Sequence, residues 1–183
     1  MTCNIRKAND NDKAALSDLI ALSARKLSTQ DYTVAQIEGA LRGTYGVDSQ
    51  LIKDGTYFVV EDNGKIVGCG GWSRRRTICG GDSYGQRDDA ELDPASDAAK
   101  IRAFFIHPEH ARRGIGKSIL TRCEAEAIAH GFSRFELMAT LPGVPFYDAL
   151  GYLRQAAVSQ AMDDGITIEF VPMTKAARRQ LKT

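Results

Sequence analysis

The sequence has little of what builds a membrane, disulfide or metal protein. No uninterrupted apolar stretch reaches the roughly 18 residues that a bilayer-spanning helix needs. The segment MTCNIRKANDND (1–12) is polar and lacks the apolar run of a secretory signal. Cysteine is sparse: Cys3, Cys69, Cys79 and Cys123 are scattered, with no C-x-x-C pair and no zinc-like partnering with His107, His110 or His130. Neither a metal nor a disulfide framework is expected, no membrane is expected as a partner, and the expected compartment is the reducing cytoplasm. An excess of one charge is missing too. The 24 Lys and Arg against 23 Asp and Glu leave a formal +1, so no global field draws nucleic acid and any phosphate recognition must be local.

What is present describes one globular domain spanning 1–183, long enough to bury roughly 70% of the surface of its unfolded chain. CNIRKA (3–8) reads as a short strand, and the Asn/Asp cluster at 9–12 as a helix cap. Ala15, Leu16, Leu19, Ile20 and Leu22 follow at helical spacing, and 33–41 repeats the pattern until Gly43 and Gly46 end it. TYFVVED (56–62) and KIVGCGGW (65–72) are apolar runs joined by Asn63-Gly64, a two-residue hairpin signal. Periodicity then vanishes over 73–99, a stretch rich in glycine, aspartate and arginine that reads as a long surface or binding loop.

KIRAFFIHP (100–108) reads as a buried strand that Pro108 stops. After a glycine turn, Ile115, Ile119, Leu120, Cys123, Ala127 and Ile128 fall on one helical face, with His130-Gly131 as a stop. FSRFELMAT (132–140) is another strand, so 100–140 predicts a parallel βαβ unit with a right-handed crossover. FYDALGY predicts a short helix ending at Gly151, GITIEFVPM (165–173) a late strand, and KAARRQLKT a basic tail.

The turn inside that unit, HARRGIGKSIL (110–120), carries the chemistry. Where a tight turn feeds a helix, the first N–H groups lack internal partners and the dipole places about half a positive charge there. Gly114 and Gly116 remove Cβ atoms from the approach, Arg112, Arg113 and Lys117 supply charge, and Ser118 a hydroxyl; a pyrophosphate suits them better than a carboxylate. The usual nucleotide fingerprints fail, because Ile119 stands where a third dinucleotide-motif glycine is needed and Ala111 where the first glycine of an NTP loop belongs. Taken alone, a Gly-x-Gly turn serves equally for close strand–helix packing.

IHPEHARRGIGKSIL resembles the acetyl-CoA signature of the GNAT superfamily of N-acetyltransferases, commonly written Gln/Arg-x-x-Gly-x-Gly/Ala. Gly114 and Gly116 match its glycines, while Ala111 departs from the usual Gln or Arg. ATLPGVPFYDALGY is similar to the family's later segment, in which a Phe-Tyr pair sits on a short helix. The resemblance covers 100–152 and implies a mixed α/β (α+β) sheet of mostly antiparallel N-terminal strands with a splayed parallel pair at its centre. It implies that the backbone of Phe104, Phe105 and Ile106 faces the pantetheine arm of acetyl-CoA. Arg112, Arg113, Gly114, Ile115, Gly116, Lys117 and Ser118 would hold the phosphates, and Tyr147 would be the general acid for the leaving thiolate. The side chains of Phe104 and Phe105 read first as core packing.

The reaction so implied is direct attack of a neutral primary amine, expected to be a small molecule, on the thioester, with a strand N–H near Ile106 meeting the oxyanion. No nucleophilic cysteine is expected, since none has a histidine beside it in sequence. Glu136 and Asp97 are candidate bases, His107 is held extended ahead of Pro108, and no base is assigned. Tyr32, Tyr45, Trp72 and Tyr84 are candidates for the acceptor pocket, with acidic loop residues favouring a cationic amine and Arg74 to Arg76 and Arg102 an anionic one. A non-catalytic acyl-CoA sensor and a protein N-terminal or lysine acetyltransferase are the alternatives. Homodimers are frequent in the resembling family, and a homodimer is one state that it implies.

Overall fold

The structure is a computed structural model and describes residues 4–162 and 165–177. Cys3 and the basic tail beyond residue 177 lie outside the described residues.

Eight strands form a single mixed sheet in the order β1-β2-β3-β4-β5-β8-β6, with β7 also on β8. The N-terminal half is antiparallel: β1 (Asn4–Lys7), β2 (Tyr57–Asp62), β3 (Lys65–Ser73) and β4 (Ala99–Ile106). Asp62 pairs with Lys65, so Asn63 and Gly64 alone make the turn, both at positive φ (50° and 75°) as the sequence pair requires. β5 (Arg134–Thr140) lies parallel to β4 and antiparallel to β8 (Thr167–Ala176), whose outer edge carries β6 (Leu153–Arg154) and β7 (Val158–Ala161). These two edge strands are too short and polar to show periodicity, and nothing in the chain marks them.

Helices cover both faces because strand residues alternate sides. On one face, α1 (Lys13–Leu27) and α2 (Val34–Arg42) bury Leu16, Leu19, Ile20 and Ile37 with Tyr57, Val59, Cys69 and Phe170. On the other, α4 (Ile115–Ala129) and α5 (Val144–Ala149) bury Ile119, Leu120, Cys123 and Val144 with Phe58, Val60, Phe135 and Leu137. Each such aliphatic side chain contributes about 1.5–3 kcal/mol of transfer free energy. Thr33 and Gln36 close a capping box on α2, and Asn9 and Asp12 one on the single 3-10 turn before α1. A short α3 (Ser49–Lys53), capped by Asp48, precedes β2. Among the described residues, no helix is long and apolar enough to cross a membrane.

The 73–99 segment differs from the loop expected. Arg75 bridges Glu91, Arg76 N–H donates to Ala90, Thr77 N–H to Asp88 and Leu92 N–H to Arg74, so much of it is an irregular antiparallel excursion. Its charges are spent internally: Arg75 holds Asp54 at 2.7 Å and Arg74 holds Glu91 at 3.4 Å.

Candidate active site

Two geometric facts open a cleft at the middle of the sheet. First, β4 and β5 pair only at Ala99 with Phe135 and Lys100 with Glu136, beyond which the two parallel strands share no further ladder. Second, β4 bulges: Gly71 faces Arg102 and Cys69 faces Phe105, so Ala103 and Phe104 together oppose Gly70. Ala103 takes φ 59°, a left-handed value rare for a residue with a Cβ. The bulge re-aims β4 where it leaves β5. The resulting cleft has a volume of about 810 Å3.

Its walls divide by face of the sheet. On the α4–α5 side stand Phe104, Ile106, Ile115, Phe146 and Tyr147, and on the α1–α2 side Tyr45, Phe105, Met138 and Phe170. The cleft runs through the parted sheet and joins the two layers. Of the residues singled out in sequence, Phe104, Phe105, Ile106, Arg112, Gly114, Ile115, Gly116, Lys117 and Tyr147 line it, whereas Arg113 and Ser118 do not. Phe104 and Phe105 also pack: Phe104 meets Tyr147 edge to face at 6.2 Å and Phe105 meets Tyr45 at 5.7 Å.

Gly114 is the N-cap of α4 at φ 83°, with no side chain capping the helix and open space around the position its Cβ would take. No acidic residue occupies the first turn, so the α4 terminus is suited to an anion. Gly116 has a packing role as well. A Cβ there would stand 3.1 Å from the Phe146 ring, so its bareness also seats α5. Arg112 takes φ 65°, shaping the turn at some cost in strain.

Tyr147 is buried within a ring of Phe104, Phe146 at 4.9 Å and Tyr152 at 5.6 Å, and burial pushes its phenol well above the ordinary value. The Ile106 N–H, expected to be open, instead donates to Ser23 Oγ at 3.2 Å. This serine arrives from α1 and lines the cleft, and no spacing in sequence could show that it reaches β4. The candidate bases lie elsewhere. Glu136 is ion-paired with Lys100, Asp97 accepts from the Asp93 N–H, and His107 accepts from the Glu109 N–H; none is in the cleft wall.

Of the four aromatic candidates for an acceptor pocket, Tyr45 lines the cleft. Tyr32 donates to the Glu169 carbonyl at 2.6 Å and accepts from the Leu141 N–H, tying α2 to β8 and β5. Trp72 is wholly buried against His130 and Phe132, and Tyr84 lies over Gly80. Cys69 and Cys123 are buried and their thiols are pushed up by burial, Cys69 to about 12, which keeps them inert.

The profile of the acetyltransferase (GNAT) family matches residues 22–152, the span that contains the parted strands, the turn and Tyr147. The chain belongs to the acetyltransferase (GNAT) family. It is an N-acetyltransferase by that membership. Solved GNAT structures share its fold. A GCN5-related N-acetyltransferase from Rhodopseudomonas palustris is 19% identical, with 96% of each chain covered and a TM-score of 0.71. The PaiA N-acetyltransferase of Thermoplasma acidophilum, solved with coenzyme A, is 15% identical, with 96% of this chain and 99% of that one covered and a TM-score of 0.63. The yncA protein of Salmonella typhimurium, solved with its cofactor acetyl-CoA, is 19% identical over 96% and 94% of the two chains at a TM-score of 0.59. No curated protein matches the chain significantly.

Proposed function

We propose that this GNAT chain transfers the acetyl group of acetyl-CoA directly to the primary amine of a small molecule. The observation that carries the reading is the parting of β4 from β5 beside an uncapped helix terminus, which offers a strand-like slot and an anion site in one cleft. The α4 terminus at 114–117, with Arg112 and Lys117, would take the pyrophosphate, and β4 from Phe104 to Ile106 the pantetheine arm. Arg113 and Ser118 lie outside the wall, and a part for them would be charge from Arg113 and a hydroxyl from Ser118. A small acceptor fits because the same volume must also admit the arm and the thioester.

In the step proposed, the neutral amine nitrogen attacks the thioester carbonyl, the C–N bond forms, and the oxyanion collapses with cleavage of the C–S bond. Donors for the oxyanion are the backbone of β4 and Ser23, whose hydroxyl can donate while it accepts from the Ile106 N–H. The departing thiolate takes the proton of Tyr147, which regains one from solvent, and the ammonium proton leaves to solvent. Burial raises the phenol, yet it also raises the thiol leaving into the same apolar surroundings, so the two stay near enough for transfer.

Coenzyme A release with a panel of amines tests the reading. Turnover that saturates in both acetyl-CoA and amine supports it. Saturable acetyl-CoA binding with no turnover on any amine overturns it in favour of a binding sensor, and turnover confined to peptide amino groups would make the acceptor a protein.

A further inference from the structure

One end of the cleft, formed by residues 44–46, 78–81 and Arg102, holds two buried polar groups without partners. Tyr45 Oη and Arg102 Nε are both inaccessible to solvent and have no hydrogen-bond partner, and Asp48 Oδ2, beside the Arg102 guanidinium, makes no hydrogen bond either. The Arg102 side chain is 3% exposed. A buried guanidinium N–H or phenol left unmatched is costly, and native folds rarely keep one without a use for it.

The ion pairs around this end leave the Arg102 Nε–H unused. Arg102 lies 2.6 Å from Asp48 Oδ2 and also donates to the Gly80 carbonyl. Arg87 shares the same carboxylate at 3.2 Å. Asp48 is wholly buried and also caps α3. Two guanidinium groups therefore meet one buried carboxylate. Asp89, 46% exposed, lies 3.4 Å from Arg87 and also acts on Arg102. Cys79 and Tyr57, the other titratable neighbours of Arg102, are pushed up by burial and stay neutral. Arg102 thus shares its one wholly buried carboxylate with Arg87 and keeps its Nε–H unspent. Burial lowers its guanidinium despite Asp48, which is what incomplete compensation produces.

We propose that this end of the cleft receives the carboxylate of the acceptor, so that the substrate is an amine that also carries an acidic group, as an amino acid does. The inference rests on the acetyltransferase reading above and names its substrate class. A carboxylate supplies lone pairs for the Arg102 Nε–H and the Tyr45 O–H and makes the stronger, charge-assisted bond to the guanidinium, which a neutral carbonyl does not. Arg102 is one residue before the bulge, on the strand that faces the thioester, and Tyr45 packs on Phe105 within that segment. An acceptor anchored by its acid group at this end has its amine directed along β4 toward the reaction centre.

The test compares kcat/KM for an amino acid, its carboxamide and the corresponding alkylamine, with the full chain and with Tyr45→Phe. The expected result is at least a 10-fold preference for the amino acid, which Tyr45→Phe reduces several-fold through KM of the acceptor, with KM for acetyl-CoA unchanged. Tyr45→Phe should also leave the unfolding midpoint unchanged or raised, since it removes an unpartnered hydroxyl; a hydroxyl with a structural role would lower it. Equal turnover of carboxamide and amino acid, or a preference that Tyr45→Phe does not move, overturns the inference while the acetyltransferase reading stands. Absence of turnover on every amine overturns both. Arg102→Lys provides the second variant: it keeps the charge beside Asp48 but loses the fork, and should reduce the same preference.

Discussion

At the scale of the residue, the reading turns on Tyr147, Gly116 and Arg112. Tyr147→Phe should leave acetyl-CoA affinity within about two-fold and lower kcat by about 100-fold, the range for loss of a general acid. An unchanged kcat would remove the acid role. Because burial raises this phenol, it is protonated from about pH 6 to about pH 10, so the rate should rise with pH as the amine loses its proton, with no fall from tyrosine ionisation below that limit. A descending limb near neutral pH that Tyr147→Phe abolishes would contradict the burial argument. Gly116→Ala places a methyl 3.1 Å from Phe146 and should displace the Phe146–Tyr147 pair. We expect a loss of about 1–3 kcal/mol in stability and a lowered kcat, measured by thermal unfolding and turnover. Gly114→Asp acts on binding instead, putting a negative charge where an anion is expected. It should weaken acetyl-CoA by at least 10-fold in a titration, while Gly114→Ala adds only the strain of φ 83°, about 1 kcal/mol.

At the scale of the element, β4 decides the site. Its paired stretch anchors it between β3 and β5, and its bulge releases it. Ala103→Val would force a β-branched residue into φ 59° and should destabilise the fold by about 2 kcal/mol while weakening acetyl-CoA binding, read by unfolding and titration. A neutral outcome would mean that the bulge can shift without loss. The strand itself was plain in the sequence, as an apolar run ended by Pro108, and so was the helix after the glycine turn. The bulge was not, because Ala103 carries no mark of its conformation; it follows from the register with β3, which only pairing fixes. The 73–99 segment shows the same limit: its arginines looked like ligands for a substrate, and the fold pairs them with Asp48, Asp54, Asp88, Asp89 and Glu91.

In the molecule as a whole, the 73–99 excursion is fastened to the ends of α3 by nearly buried ion pairs, Arg87 with Asp48 and Arg75 with Asp54. Arg75 makes two hydrogen bonds to Asp54, which is 5% exposed, and these bonds hold the Asp54 carboxyl below its ordinary value. A depressed folded value means that this stability is fully present above the unfolded value of about 3.9 and fades as pH falls through the lower folded one. Arg75→Ala should lower stability by about 2 kcal/mol at pH 7, and the difference from the parent should shrink toward pH 3, as followed by unfolding midpoints. A difference constant with pH would show that the arginine acts through packing alone.

Most of the longer elements, the parallel unit around the glycine turn and the residue types that resemble an acetyl-CoA signature were legible in the chain alone, because periodicity, turn chemistry and motif spacing are local properties; α3, β6 and β7 were too short to show. The tertiary structure decided which of those residues share a cleft. It alone brought Ser23 to the Ile106 N–H, placed Tyr45 and Arg102 in one wall, and drew Glu136 into a pair with Lys100. Such contacts join positions tens of residues apart, and their geometry is set by sheet register and helix packing, which no short stretch of sequence contains.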